Sequence, residues 1–161
     1  MQQRGFTLIE LIIVIVILGI LAVTAAPRFI DFQGDARAST LQGLKAGLQG
    51  GSQLVYAKSA IAGEQDQAGQ TVTINGKDVT TDYGYPDAAT MGFNSNANTA
   101  TDNTITGWTD LSADDWDIDT TTTAGVAVFY PDGQSSATCS VTYTEATATA
   151  PPSIVVVTSG C

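Results

Sequence analysis

The sequence predicts an α+β protein in which a long N-terminal helix packs against an antiparallel β-sheet. Residues 6–26 are apolar except for one carboxylate, and an apolar stripe at helical spacing continues toward Ala62. After Gly63 the chain changes to β-branched, alternating segments that turn residues separate. We therefore expect the first half of the helix to be inserted in a membrane and the second half to pack on the sheet.

The apolar stretch 6–26 is long enough to cross a hydrocarbon core as a helix, which takes about 20 residues. Arg4 precedes it, which favours a cytoplasmic N-terminal side. An ordinary secretory signal has a shorter apolar core of about 7–15 residues before its cleavage site. We therefore expect this segment to be retained after export.

Glu10 is the anomalous residue of the apolar stretch. A lone carboxylate near the centre of a membrane helix costs about 2.5–3.5 kcal/mol, and such a residue usually has a partner. No Lys or Arg lies between Arg4 and Arg28, so Glu10 either reaches the headgroups or pairs with a positive charge from another chain. A cut after Gly5 would free the amine of Phe6, which could supply that charge to a neighbouring copy.

The register of these residues resembles the prepilin peptidase signature of class a type IV pilins. The matching residues are Arg4-Gly5-Phe6-Thr7-Leu8-Ile9-Glu10-Leu11. The resemblance implies removal of a leader 1–5 by cleavage between Gly5 and Phe6, N-methylation of Phe6, and a role for Glu10 in subunit alignment. The stretch through Ala62 is most similar to the mannose-sensitive haemagglutinin pilin family, whereas the remainder matches only in layout.

The second half of the helix, 27–62, is amphipathic. Its apolar stripe is formed by Leu41, Leu44, Leu48 and Val55, and Gly63 is a suitable stop. A helix from Phe6 to Ala62 would be roughly 85 Å long, which a domain of this size cannot bury. Its first half must therefore be covered by lipid or by other subunits.

Pro27 and Gly34 are the predicted weak points of this helix. Proline removes one backbone hydrogen bond and clashes with the preceding turn, and glycine lowers helix propensity. We expect the helix to curve or open locally between Ala22 and Gly34. The alternative is that Pro27 ends the membrane helix and begins a second one.

Residues 63–161 are predicted to form a globular β-sheet head. Asn75-Gly76 indicates a type I′ hairpin turn that places Val72 opposite Val79. Residues 83–123 are predicted to be a long loop, pinned to the sheet by Trp108, Leu111, Trp116 and Ile118. Further strands are predicted at 126–130, 139–144 and 154–157.

The two cysteines, Cys139 and Cys161, indicate one disulfide if the chain is exported, which would close the C-terminal region 139–161. A pair of buried free thiols is the alternative. The C-terminal disulfide loop of type IV pilins agrees with the first interpretation.

The composition excludes several functions. The net charge is −10 and no Lys or Arg follows Lys77, so nucleic-acid binding is not expected. There is no His, which removes Ser-His and Cys-His catalysis and His-ligated zinc, and we expect neither an enzyme nor a resident cofactor.

Asp115, Asp117 and Asp119 alternate as the first ligands of a calcium loop do, but its later Gly and Glu are missing. A weak calcium site and a solvated acidic surface both remain open.

The sequence favours a major type IV pilin that polymerises with other copies into an extracellular fibre for surface adhesion and biofilm formation. Its expected partners are prepilin peptidase, the assembly machinery of the inner membrane and surface or glycan receptors. Its expected locations are the inner membrane and then the pilus. A pseudopilin of a type II secretion system is the main alternative, and a sugar-binding tip adhesin is the third hypothesis.

Overall fold

The computed structural model of the chain describes residues 6–93 and 105–161, and within its first helix the side chains of 24–31 are not described. The chain divides into two compact units, 1–37 and 38–161. The elements in chain order are α1 (Leu8–Ala62), β1 (Gln70–Ile74), β2 (Lys77–Asp82), β3 (Tyr85–Pro86), a 3-10 turn (Ala88–Thr90), α2 (Ile105–Trp108), β4 (Trp116–Asp119), β5 (Val126–Pro131), β6 (Ser140–Thr144) and β7 (Ser153–Val157). The predicted α+β class, a long N-terminal helix followed by antiparallel sheets, is confirmed.

The C-terminal end of α1 is fixed by a glycine motif. Gly63 has a φ of 78°, and its N–H donates to the Ala60 carbonyl at 3.2 Å. The Glu64 N–H donates to the Ser59 carbonyl at 3.0 Å. These two bonds satisfy carbonyls that the last turn would otherwise leave unpaired, so Gly63 ends the helix as predicted.

The second part of α1 contributes one face to the core of the 38–161 unit. The predicted stripe is buried and forms one cluster with residues of both sheets, among them Val79, Phe129 and Tyr143; the stripe residues are Leu41, Leu44, Leu48 and Val55. The spacing of three and four residues places these side chains on one side of the helix.

The strands form two antiparallel sheets rather than the single sheet that the sequence predicts. β1, β2 and β3 make one sheet in that order, and β4, β5, β6 and β7 make the other. The Asn75-Gly76 turn has positive φ at both residues, and Val72 pairs with Val79, as predicted.

The prediction that residues 83–123 form a loop is wrong for the described residues of that range. It contains β3, the 3-10 turn, α2 and β4, and β4 pairs with β5 over Trp116 to Asp119. These elements are two to four residues long, too short for a periodic pattern to identify them in the sequence. Trp108 lies in α2 and is buried, and Trp116 and Ile118 pack against the core from β4.

No helix in the described part of the chain combines the length and the apolar character that a membrane crossing requires.

Candidate functional site

The first part of α1 presents large apolar side chains to its surroundings. Phe6 is 90% exposed, and the apolar side chains of the following turns are exposed as well, including those of Leu8, Ile9, Leu11, Ile12, Ile13, Val14, Ile15, Val16, Ile17, Leu18, Ile20, Leu21 and Val23. Monomeric soluble proteins rarely expose a contiguous apolar surface of this size, and such a surface marks an interaction site.

Thr7 and Glu10 form a capping box at the start of α1. The backbone N–H and the hydroxyl of Thr7 each donate to Glu10 Oε2 at 2.8 Å. The Glu10 N–H donates to Thr7 Oγ1 at 3.4 Å. The two side chains thus satisfy each other's backbone donors, which explains why the helix begins at Leu8.

The capping box corrects the prediction that Glu10 has only headgroups or another chain as partners. Its carboxylate is hydrogen-bonded within its own chain, by a threonine three residues earlier. Both donors are uncharged, so Glu10 keeps its negative charge and can still attract a cation. The sequence signal for this arrangement was the Thr-x-x-Glu spacing, which sequence reasoning missed.

The predicted processing site lies at the edge of the described chain. Gly5 is outside the described residues. Phe6 and Thr7 precede the helix, and Phe6 is well exposed. Cleavage after Gly5 and methylation of Phe6 stay predictions.

The predicted weak points at Pro27 and Gly34 lie inside α1, whose assignment as a helix continues through both residues. The alternative that Pro27 ends one helix and begins a second is therefore wrong, whereas the predicted bend stays a prediction.

The glycines of the second part of α1 have two different environments. A Cβ at Gly51 would lie 2.6 Å from Cε3 of Trp108 and 2.7 Å from its carbonyl oxygen, so only glycine lets α2 approach this closely. A Cβ at Gly43, Gly47 or Gly50 would meet nothing within 4 Å. This second group forms a smooth outward strip of the helix that no described residue of the same chain covers.

The predicted disulfide between Cys139 and Cys161 is confirmed. Cys139 is buried beside β6, and the Gly160 N–H donates to the Thr138 carbonyl at 2.9 Å. The bond therefore ties the C-terminus to the segment that enters β6.

The predicted calcium ligands Asp115, Asp117 and Asp119 do not come together. Asp117 and Asp119 lie in β4, where alternate residues on one face are separated by about 6.6 Å along the strand. The Asp119 carboxylate accepts hydrogen bonds from the hydroxyls and N–H groups of Thr121 and Thr122, which hold its pKa at about 2. Calcium binding at these positions and the alternative of a solvated acidic surface both stay predictions.

A different carboxylate cluster is present that the sequence did not predict. Oxygens of Asp82, Asp87 and Glu145 lie within 4.8 Å of one another. Partial burial, followed by the charge of Asp87 and a hydrogen bond with it, raises the pKa of Glu145. The three residues come from separate segments of the chain, so no local spacing could have revealed the cluster.

The comparisons with known proteins each cover less than half of the chain. Residues 1–26 match the family model described as the prokaryotic N-terminal methylation motif. A fimbrial protein of Eikenella corrodens, EcpC, is 40% identical over 76 residues, which cover 47% of this chain and 50% of that protein. The type IV narrow pilus major component PilA5 of Thermus thermophilus is 47% identical over 49 residues, 30% of this chain and 42% of that protein.

A third relative, the type IV major pilin protein PilE1 of Neisseria gonorrhoeae, is 42% identical over 67 residues, 42% of this chain and 31% of that protein. No solved structure matches. The matched segment thus spans half or less of the length of these relatives. The chain carries the N-terminal methylation motif and is similar, over part of its length, to proteins named type IV pilins and fimbrial proteins.

Proposed function

We propose that this chain is the major subunit of a type IV pilus, which polymerises by helix packing into an extracellular fibre for surface adhesion and biofilm formation. The observation that carries the proposal is the exposed apolar surface from Phe6 to Val23, which lies within the match to the N-terminal methylation motif. The relatives named as major pilins support the same function.

Burial of the apolar surface against other copies supplies the driving force for assembly. Each fully buried Leu, Ile, Val or Phe side chain contributes about 1.5–3 kcal/mol relative to its exposed state. More than ten such side chains are exposed between Phe6 and Val23. The smooth strip at Gly43, Gly47 and Gly50 would let a neighbouring helix approach closely, because no side chain stands between the two backbones.

Glu10 sets the register of the incoming subunit in this proposal. Cleavage after Gly5 by prepilin peptidase would free the Phe6 amine, which stays cationic after N-methylation. Within an apolar helix bundle an uncompensated charge is strongly disfavoured, so a copy whose amine meets the Glu10 carboxylate of its neighbour is preferred. The capping box orients the carboxylate toward the start of the helix, where that amine would arrive.

Before assembly, the subunit would wait in the inner membrane, where lipid covers the apolar stretch 6–26 and the assembly machinery collects it. The retained apolar segment and the basic leader of the sequence support this stage. Afterwards the protein would be part of the pilus on the cell surface.

The pilin function is favoured over a pseudopilin of type II secretion. The relatives that match are named pilus components or fimbrial proteins. Membership of the mannose-sensitive haemagglutinin pilin family is part of the proposal and is supported by the resemblance of the stretch through Ala62. A structural subunit needs no catalytic residue, which suits a sequence without His.

Deletion of the gene and electron microscopy of sheared cell surfaces test the proposal. We expect long fibres on wild-type cells, their loss on deletion and their return on complementation, with protein secretion unchanged. Intact fibres together with lost protein secretion would contradict it and favour the pseudopilin.

A further inference from the structure

An open cavity of about 280 Å³ lies in the 38–161 unit, between α1, the β2–β3 turn and the segment 146–151. Tyr56, Tyr83 and Tyr85 line it. The rings of Tyr56 and Tyr85 stack with centroids 4.6 Å apart and planes inclined by 25°. We call this cavity, together with the adjoining cavity that Gln49 and Gln53 line, the tyrosine groove.

Tyr83 occupies a backbone conformation that costs energy for its residue type. Tyr83 and Gly84 are the two residues that join β2 to β3, with φ of 51° and 85°. A bulky residue with positive φ is an outlier, and such strain clusters at ligand-binding positions. The turn alone would be satisfied by Gly or Asn, so its geometry does not explain the tyrosine.

Hydrogen-bonding groups stand beside the aromatic rings. Gln65 and Asp66 line the cavity, and Gln65 Nε2 donates to Asp66 Oδ2 at 3.2 Å. Within the described chain, Gln65 Oε1 is shielded from solvent and has no hydrogen-bond partner. Thr147 and Thr149 add hydroxyls.

The groove continues into a second cavity of about 140 Å³ that shares Tyr85 and Pro151 with the first. Gln49 and Gln53, one turn apart on α1, line this extension and present amides. No Lys or Arg is among the described residues that line either cavity.

We propose that the tyrosine groove binds a neutral oligosaccharide, with one sugar ring against the tyrosines and the next beside Gln49 and Gln53. A pyranose has an apolar face of C–H groups that packs on an aromatic ring, and a rim of hydroxyls that both donate and accept. The amides, the hydroxyls and Asp66 match that rim. Without a basic side chain in the lining, an anionic sugar would have no counter-charge.

This proposal goes beyond the fibre function, and all the residues that carry it belong to one unit of one chain. Assembly is therefore not required for binding. The two proposals fail independently, since one is measured as sugar binding by the solubilised subunit and the other as fibres on cells.

The test is titration of the full-length, detergent-solubilised protein with maltose, lactose and cellobiose, and with galacturonate and choline as competing probes. We expect saturable binding of at least one neutral disaccharide and none of galacturonate. Tyr83→Gly should lower that affinity roughly five- to tenfold, because an aromatic contact is lost, while the positive-φ turn is retained. Asn75→Gly is the control, because it also replaces a positive-φ residue by glycine in a hairpin turn; the hydrogen bond that it removes, from Asn75 Nδ2 to the Gly107 carbonyl, lies outside the groove, so the affinity should be unchanged.

Gln53→Ala should weaken the binding of the disaccharide but not of its single sugar, and Gln42→Ala, an exposed change on the same helix outside the groove, should weaken neither. The proposal is overturned if no neutral disaccharide binds at millimolar concentration, if choline is the probe that binds, or if a bound disaccharide is unaffected by Tyr83→Gly.

Discussion

Gly47 and Gly51, four residues apart on α1, are expected to respond oppositely to the same substitution. Gly51→Ala places a Cβ against Trp108 and should destabilise the 38–161 unit by about 1–3 kcal/mol, because overpacking exceeds the gain in helix propensity. Gly47→Ala meets nothing within 4 Å and should stabilise the helix by up to about 1 kcal/mol. Thermal unfolding of the two full-length variants measures both effects, and equal shifts would show that Trp108 does not restrict Gly51.

Glu10 combines a hydrogen-bonding role with a charge, and two substitutions separate them. Glu10→Gln can still accept from the Thr7 N–H, whereas Glu10→Ala cannot. If the charge aligns subunits, both variants should reach the membrane and be cleaved, yet give at least tenfold fewer sheared fibres than the wild type. Wild-type fibre yield from Glu10→Gln would show that capping, and not charge, is what assembly requires.

Glu145 should make the stability of the 38–161 unit depend on pH. Burial and the carboxylates of Asp87 and Asp82 raise its pKa above the usual 4.5, so the folded protein holds this proton more tightly than the unfolded chain does. The resulting stabilisation is complete below pH 4.5 and is lost as the pH rises through the folded-state pKa. Glu145→Gln has no proton to release at this position. It should therefore lose less stability than the wild type as the pH rises from 4.5 through the folded-state pKa of Glu145.

Denaturant unfolding of the wild type and Glu145→Gln at a series of pH values measures this difference. Asp119→Asn is the control, because hydrogen bonds from Thr122 and Thr121 hold the pKa of Asp119 at about 2 and it does not titrate in that range. Parallel profiles for the wild type and Glu145→Gln would contradict the account of the cluster.

At the scale of the elements, the disulfide closes a segment that contains the whole of β6 and β7. The bond joins residues 22 positions apart, and the chain-entropy model gives about 3 kcal/mol for a loop of this length. The replacement of both cysteines by serine should lower the free energy of unfolding by about that amount, with β5 and β6 still paired. Urea unfolding of oxidised wild type, reduced wild type and the double variant checks this, and an unchanged midpoint on reduction would contradict it.

The elements that could be predicted from the sequence have strong local signals. Leu41, Leu44 and Leu48 repeat at helical spacing, and Asn75-Gly76 selects one turn type and with it the register of β1 and β2. Between Tyr83 and Asp119 the elements are too short for a period. Their positions depend on contacts with distant residues, as Trp108 shows where it packs on Gly51.

The same distinction applies to the candidate sites. The N-terminal motif is local, so Glu10 could be singled out as the one charge of the apolar stretch and Phe6 by the resemblance to the prepilin peptidase signature, although the hydrogen bonds from Thr7 were missed. The cluster at Glu145 and the tyrosine groove combine residues that are distant in the sequence, and only the fold brings them together. The alternating aspartates Asp115, Asp117 and Asp119 resemble the start of a calcium loop, and calcium binding there stays a prediction.

At the scale of the whole molecule, the proposed assembly through α1 requires that the apolar segment 6–26 is retained in the fibre. The exposed side chains from Phe6 to Val23 are the surface that other copies would cover, and the charge of Glu10 would be met by the amine of Phe6. Coverage of this surface by other copies and pairing of Glu10 with the Phe6 amine both require a mature chain that begins at Phe6.

Mass spectrometry of the N-terminal peptide from sheared surface fibres tests this requirement most directly. We predict a chain that begins at Phe6, carries a methyl group on its amine and retains the whole apolar segment. A fibre protein that begins after Ala26, with the apolar segment removed, would contradict assembly through this helix.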